Sequence, residues 1–235
     1  MHSRARPASF VGAVMAIALA AAGCGDLFPA TDPPPAPVQP GVSARHAFPS
    51  GGGVFNGLSV RARGYDVTVS WRAGGAARGV ASTDAGATFA ALPPALLAGG
   101  PAEEAGLRVM PAGDDWQVAG TGELRAHEPV TVGLPGVLDG TVPVAFDEYC
   151  GLLSVVATET RGEGGRMAIH RFLTPRRGGR GALVGTPVNV ADIAAPPGDV
   201  VVAAVPDAAV VAWTEGERLR VVRVELPGVA CTPFG

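Results

Sequence analysis

The octapeptide STDAGATF, residues Ser82–Phe89, contains the residues that decide the fold. The carboxylate of Asp84 is placed to accept backbone N–H groups of its own turn, and Gly86 can adopt the positive φ that such a turn demands. Phe89 then supplies an aromatic ring that packs beneath the turn. We therefore predict that this stretch is a structural staple in a β-hairpin, between the third and fourth strands of a four-stranded unit.

The segments around and beyond this stretch alternate apolar and polar residues as strands do. In YDVTVSW every second residue from Val67 to Trp71 lies on one face, and in DAAVVAW every second residue from Ala209 to Trp213 does the same. Two distant segments with one pattern indicate an internal repeat. The 34 Gly and 22 Pro residues separate short Val-rich runs, which is typical of many strands and many turns.

Strand-like pieces recur in the same order in four units, which begin near Arg45, Leu96, Asp139 and Ile193. The length of each unit is close to the about 40–50 residues of a four-stranded propeller blade. We therefore predict an all-β protein, in which residues 45–235 form a small β-propeller-like domain of four, or five, antiparallel four-stranded blades. A two-sheet β-sandwich is the alternative, because the spacing of strands alone fits both architectures.

The octapeptide resembles the Asp-box, S-x-D-x-G-x-T-[FW], of the sialidase-type BNR repeats. All five defined positions of the motif match, and they are occupied by Ser82, Asp84, Gly86, Thr88 and Phe89. It implies that the motif stabilises the hairpin of one propeller blade, whatever the propeller does. The other units lack clean copies of the motif, so the repeat is degenerate.

The same resemblance makes it necessary to ask whether the chain has the catalytic residues of sialidases. Those enzymes use a Tyr nucleophile with a Glu partner, an Asp acid/base and three Arg residues that bind the substrate carboxylate. The chain has two tyrosines, Tyr65 and Tyr149. Glu148 adjoins Tyr149 in FDEYC, but neighbours along a strand point to opposite faces. The Arg-Ile-Pro-like motif that carries the first catalytic Arg of those enzymes does not occur in the sequence. We predict no catalytic residues and no enzymatic activity.

Metal, cofactor and nucleic-acid sites are not predicted either. His46, His127 and His170 are scattered, and no two have the spacing of metal ligands. No phosphate-binding loop or other cofactor motif occurs, and the basic stretch PRRGGRG, residues 175–181, is interpreted as a glycine-rich hairpin loop. With 18 basic and 21 acidic residues the chain has no basic surplus for a nucleic-acid partner.

The first 23 residues have the layout of an export signal, with Arg4 and Arg6 before the apolar run Val11–Ala22. That run is shorter than the roughly 20 residues that cross a bilayer. The stretch LAAAGC resembles the lipobox of bacterial lipoproteins, which implies that Cys24 is lipidated, becomes the new N-terminus and anchors the chain to a membrane. Gly25 follows the Cys, where Asp marks inner-membrane retention in resembling lipoproteins, so the outer membrane is favoured.

An exported, lipid-anchored chain gives a meaning to two further features, a Pro-rich segment and a pair of cysteines. Residues 24–44, which include DPPPAPVQPG, are interpreted as a Pro-rich tether between the lipid and the domain. With Cys24 lipidated, Cys150 and Cys231 remain as a pair in an oxidising compartment, which favours a disulfide. Two buried free thiols are the alternative.

The sequence therefore predicts a lipid-anchored protein of the bacterial cell envelope. Its domain is interpreted as a noncatalytic β-propeller-like binding or assembly module, with a protein or glycan partner whose identity the sequence does not specify. A sialidase-type glycoside hydrolase and an envelope structural protein are the alternatives.

Cys24→Ala tests the anchoring. Because the thiol that accepts the lipid is lost, we expect the protein to move from the membrane fraction to the soluble fraction and to lose metabolic labelling by a fatty-acid analogue. Equal labelling of the two proteins would contradict the lipoprotein interpretation.

Overall fold

A computed structural model of the chain describes residues 40–49, 53–97, 108–119, 130–134, 140–161, 164–175 and 179–226. In these residues seventeen strands, numbered in chain order, form four sheets, and one short 3-10 helix, η1, covers Pro94–Leu97. The predicted all-β class is confirmed, and there are four sheets where a β-sandwich has two. In the part of the chain that the structure describes, no helix is long and apolar enough to cross a membrane.

The first two sheets come from the N-terminal half of the domain, with one strand added from further along the chain. Sheet I has the spatial order β2 (Phe55–Arg63), β3 (Asp66–Ala73), β4 (Ala76–Ser82) and β5 (Ala90–Ala91). Sheet II has the order β6 (Arg108–Ala112), β7 (Asp115–Ala119), β8 (Val130–Val132) and β12 (Gly179–Arg180). The pairing of β12 with β8 is parallel, and the other pairs of these two sheets are antiparallel.

The other two sheets come from the C-terminal half, with one strand added from the beginning of the domain. Sheet III has the order β9 (Thr141–Tyr149), β10 (Leu152–Arg161) and β11 (Gly164–Leu173), followed on the same edge by β13 (Ala182–Leu183) and β14 (Val188–Ile193). Sheet IV has the order β15 (Val200–Val205), β16 (Ala208–Glu215), β17 (Arg218–Glu225) and β1 (Gly41–Pro49). All of these pairs are antiparallel.

The four sheets share one local design. In each, the first two strands are joined by a tight turn of two residues, at least one of which has a positive φ. The turn residues with positive φ in sheets I to IV are Gly64, Gly113, Cys150 with Gly151, and Asp207. This recurring hairpin is the structural form of the repeat that the sequence pattern indicates.

Sheet IV is assembled from both ends of the domain. Its edge strand β1 pairs with β17 from Gly41 opposite Glu225 to Pro49 opposite Arg218. From the sequence we expected a tether up to residue 44 and no strand before Leu58, so β1 was not predicted, and its first four residues lie in the segment interpreted as tether. The fourth strand of this sheet is thus β1, and residues 227–235 lie outside the described residues.

The sheets pack through apolar faces, and sheet IV is buried on both of its faces. Along β16, Ala208, Val210 and Ala212 pack against sheet I, whereas the alternating residues from Ala209 to Trp213 pack against sheet III. The predicted single face from Val67 to Trp71 is confirmed, because these side chains belong to the cluster between sheets I and IV.

A third cluster joins sheet III to sheet II and completes a row of packed sheets. It contains Leu153, Val155 and Phe172 from sheet III with Val118 and Val130 from sheet II. The packing order is therefore I, IV, III, II. Among the described residues, no apolar cluster joins sheets I and II.

Removal of β1 tests the assembly of sheet IV. We expect a chain without residues 1–49 to lose more than about 3 kcal/mol of unfolding free energy, because β17 loses its neighbour and Phe48 leaves the core. A chain without residues 1–39 is the matched control and should keep its stability. Equal urea midpoints for the two truncated chains would show that β1 contributes little.

Candidate functional site

The loop Ser82–Phe89 is built around the hydroxyl of Ser82, which is buried at the end of β4. This hydroxyl donates to Asp84 Oδ1 at 2.6 Å and accepts the backbone N–H of Gly86 at 2.8 Å and of Asp84 at 3.2 Å. Asp84 also accepts two hydrogen bonds from Thr88, from its N–H at 2.9 Å and from its hydroxyl at 2.6 Å. Every polar position of the motif therefore takes part in one hydrogen-bonded network.

The same loop docks sheet I onto sheet IV. Ala85 is buried in the cluster between the two sheets, and its N–H donates to the carbonyl of Tyr65 at 2.8 Å. Gly86 has a φ of 86°, and a Cβ at this position would lie 2.6 Å from Val210 Cγ2 of β16. Glycine is therefore required here both by the backbone and by the close approach of the neighbouring sheet.

Phe89 extends this contact to the first strand. Its ring packs edge-on against His46 with a centroid separation of 5.1 Å and against Phe48 at 6.3 Å. Phe48 in turn lies 5.9 Å from Trp71. Aromatic pairs at these separations contribute beyond the area they bury, so the motif links β1 to sheet I.

Asp84 differs from the sequence expectation in its exposure. Its carboxylate accepts the backbone N–H of Thr88 in its own turn, as expected, but Asp84 and Thr88 are exposed, and the buried N–H of Gly86 is bound by Ser82. The hydrogen bond from the Ser82 hydroxyl, followed by those from Thr88, lowers the pKa of Asp84 well below its usual range. The carboxylate is therefore ionised at neutral pH, where solvent screens its contribution to stability.

An open groove of about 510 Å³ lies where the first strands of sheets I, III and IV meet. This volume falls within the range of about 300–1,000 Å³ that is usual for ligand sites. The lining residues are Gly57, Leu58, Val144, Gly198, Asp199, Val200 and Val201. We call this cavity the central groove.

Two irregular backbone segments shape the central groove. In β2 the register shifts between Asn56 and Ser59, and Gly57 in this bulge has a φ of 59°. Bulges of this kind redirect a strand and are frequent beside functional sites. Before β15, the N–H of Gly198 donates to the Thr214 carbonyl at 3.0 Å, and a side chain at Gly198 would collide with the Thr214 hydroxyl.

The chemistry of the central groove is mixed. Asp199 is the charged side chain among its lining residues, and Leu58 and the three valines provide apolar surface. Val144 is 36% exposed although it lies in a strand of a packed sheet. The groove can therefore contact an apolar group and accept hydrogen bonds at one carboxylate.

The strand FDEYC does not assemble a sialidase-like pair. Glu148 lies opposite Leu153 and Tyr149 opposite Leu152 in an extended β9, so the two side chains point to opposite faces of sheet III. Burial raises the pKa of Glu148, which accepts a hydrogen bond from the Thr174 hydroxyl at 3.3 Å. Tyr65 lies in the exposed turn between β2 and β3, and neither tyrosine lines the central groove.

The histidines do not form a metal site in the part of the chain that is described. His46 stacks on Phe48 and packs edge-on against Phe89, His170 is buried in β11, and His127 lies outside the described residues. Within the described residues, no three His, Cys, Asp or Glu side chains are grouped to hold a metal ion. Burial lowers the pKa of His170, whose Nε2 is 3.6 Å from Glu159 Oε1.

Two polar contacts across and between strands were not predicted from the sequence. Arg166 Nε donates to Glu159 Oε2 at 2.6 Å beside His170, which places an ion pair at the end of the β10–β11 hairpin. Asp147 Oδ2 accepts the N–H of Ala204 at 2.7 Å, from the first strand of the neighbouring sheet. No local motif signals the second contact, because the partners are distant along the chain.

The remaining predicted positions fall partly outside the described residues. Cys24 and Cys231 are among these, so lipidation and the disulfide stay predictions, while Cys150 lies in the turn between β9 and β10. The basic stretch expected to be a loop contributes β12 to sheet II. There Arg180 forms a bidentate pair with Asp115, at 2.9 Å and 3.1 Å, which ties the stretch to β7.

The candidate site thus consists of two parts. One is the loop Ser82–Phe89, called the Asp-box loop for its resemblance to that motif, which packs between sheets I and IV. The other is the central groove, formed where the first strands of sheets I, III and IV meet. Comparison of the chain with known protein families, curated proteins and solved structures finds no match. The function is therefore inferred from the geometry of this chain.

Ser82→Ala tests the centre of the Asp-box loop. We expect it to lower the free energy of unfolding by about 1–3 kcal/mol, because the buried N–H of Gly86 loses its acceptor. Asp84→Ala should lower the free energy of unfolding by less, because the carboxylate of Asp84 is exposed. Thr83→Ala, which changes an exposed neighbour, is the matched control. A urea midpoint for Ser82→Ala equal to that of Thr83→Ala would contradict this account.

Proposed function

We propose that this chain is a noncatalytic binding module of β-propeller type, carried on a lipid anchor in the bacterial cell envelope. The central groove is the observation that carries the proposal, because it joins first strands of three sheets around an open volume of about 510 Å³. Its ligand is a segment of a protein or glycan partner. The bacterial lipoprotein resemblance at Cys24 supplies the membrane location.

Contacts between the first strands of three sheets support the propeller arrangement. The first strand of sheet IV, β15, contacts both β9 and β2, the first strands of sheets III and I. A propeller brings first strands together around its axis, and packs each blade face to face against the next. The packing order I, IV, III, II fits four such blades, and closure of the ring between sheets II and I is part of the proposal. Pairing of β1 with β17 joins the first and last strands of the described domain within one sheet.

The lining residues limit the chemistry of the ligand. Leu58, Val144 and Val200 offer apolar contact, and Asp199 favours a partner group that donates hydrogen bonds or carries a positive charge. The groove is open, which suits an extended or projecting group of a larger partner. A ligand with an apolar group next to a hydroxyl or an amine meets these conditions.

Binding is favoured over glycoside hydrolysis by the same residues. Hydrolysis in most glycosidase families needs two carboxylates flanking the bond that breaks, and Asp199 is the carboxylate among the lining residues of the central groove. Glu148 and Tyr149 point to opposite faces of their strand and line no part of that groove. The Asp-box itself stabilises a hairpin, so the resemblance to sialidases concerns fold rather than catalysis.

Site-specific photo-crosslinking in native membranes tests the proposal. A photoreactive amino acid at Val144, which is partly exposed in the groove, should give a discrete adduct, because the partner group lies against this side chain. The same amino acid at Glu217, in the exposed turn after β16, is the control and should not give that adduct.

The proposal is tested by comparing the crosslinked adducts formed at Val144 and at Glu217. An adduct at Val144 that disappears in a Gly198→Ala background, which distorts the groove beside Thr214, supports a ligand in the groove. Identical patterns at Val144 and Glu217 would contradict the binding proposal and favour an envelope structural role. Turnover of a fluorogenic sialoside by the purified chain, lost in Tyr149→Phe, would favour the glycoside hydrolase.

A further inference from the structure

The two asparagines of the chain, Asn56 and Asn189, occupy closely similar places in their strands. Both are exposed, and each stands directly before a residue that has no partner in the register of its sheet. In β2 that residue is Gly57, beside β3, and in β14 it is Val190, beside β11. The two asparagines therefore form a matched pair, in which the residue that follows is different.

The residue that follows leaves the main chain open at one position and covers it at the other. Gly57 is exposed, and a Cβ built on it would meet nothing within 4 Å. Val190 is buried in the cluster between sheets III and IV, and its β-branched side chain crowds its own backbone nitrogen. A neighbouring side chain can therefore approach the backbone nitrogen of Gly57, whereas that of Val190 is shielded.

The side-chain amides of the two asparagines also differ in their contacts. Asn189 Nδ2 donates to Asp192 Oδ1 at 3.4 Å, which holds that amide over the strand. Among the described residues, the side chain of Asn56 takes part in no hydrogen bond. The amide of Asn56 is therefore free to turn towards the nitrogen of Gly57.

We propose that Asn56 and Gly57 form a site of spontaneous deamidation, at which the chain modifies itself within the β2 bulge. The backbone nitrogen of Gly57 loses its proton and attacks Cγ of Asn56. The new N–Cγ bond closes a five-membered succinimide ring, the Cγ–Nδ2 bond breaks, and the side-chain nitrogen leaves as ammonia with the proton. No oxidant, metal or second protein is needed for this step.

Water then opens the ring in one of two ways. Addition at Cγ breaks the bond just formed and gives an aspartyl residue at position 56. Addition at the main-chain carbonyl carbon breaks the original peptide bond, so that the chain continues through Cβ and Cγ as an isoaspartyl residue. In both cases the product gains a carboxylate, and the nitrogen of Gly57 regains its proton.

Both products change the surroundings of the central groove, because Gly57 and Leu58 line it. Asn56 lies opposite Arg72 in the register of β2 and β3, so the aspartyl product places a carboxylate across from a guanidinium group, which is a favourable cross-strand pair. The isoaspartyl product instead adds one methylene to the main chain directly before Gly57, which enlarges the bulge and shifts Leu58. The modification does not depend on whether the groove binds a partner.

Peptide mapping by mass spectrometry, after incubation of the purified full chain in mildly alkaline buffer, tests the site. We expect Asn56 to be converted at least about tenfold faster than Asn189, since the β-branched Val190 obstructs ring closure. Both aspartyl and isoaspartyl peptides should appear at position 56, and conversion should slow in mildly acidic buffer, where the nitrogen of Gly57 keeps its proton. In Asn56→Gln the products should be lost, because a longer side chain must close a larger ring.

Three results would overturn the proposed site. They are an Asn56 that stays unchanged after alkaline incubation, equal conversion of Asn56 and Asn189, and an aspartyl product without any isoaspartyl product, which would show direct hydrolysis without the ring. The peptide map needs no partner, so its outcome is separate from that of the Val144 crosslinking.

A second measurement tests the effect on the fold. Asn56→Asp supplies the carboxylate without altering the main chain, and its urea midpoint should equal or exceed that of the unsubstituted protein, because the new charge faces Arg72. The isoaspartyl form, separated from the incubated protein by chromatography, should unfold at lower urea than Asn56→Asp. Equal midpoints for these two proteins would contradict a shift of the groove wall.

Discussion

Sheet IV is the sheet on which the rest of the domain depends, because it is apolar on both faces and is built from strands of both ends of the domain. The strand AAVVAWTE directs Ala208, Val210 and Ala212 to one side and the alternating residues from Ala209 to Trp213 to the other, and a sheet that is apolar on both sides must be covered twice. Sheet I covers one side and sheet III the other. Since the edge of sheet IV is β1, the N-terminal strand must be in place before the sheet is complete.

The Asp-box loop fixes sheet I on one of the two apolar faces of sheet IV. Its buried Ser82 holds the turn, Gly86 lets the turn approach Val210 of sheet IV, and Phe89 packs on the aromatic side chains of β1. The motif thus acts at the contact between two sheets and one terminal strand. Because the residues of this motif are used for packing, the motif does not identify a ligand. The central groove is lined by other residues.

Much of this fold could be predicted from local sequence patterns, and the remainder depends on contacts between distant segments. Alternation around Trp71 and Trp213 identified strands and their faces, because each pattern is contained in a few residues. The pairing of β1 with β17 has no such signal, since its strands come from opposite ends of the domain. The central groove escaped prediction for the same reason: Gly57, Val144 and Asp199 meet only after three sheets have packed.

Residue-resolved native-state hydrogen exchange tests the central claim most directly. If sheet IV is the common support, the amides of β16 should open only by global unfolding, and those of β1 that pair with β17 should share the same opening free energy. The strands of sheet II, at the end of the packed row, should open at lower free energy. Rapid exchange in β1 while β16 and β17 stay protected would contradict the account, because sheet IV would then be complete without its N-terminal strand.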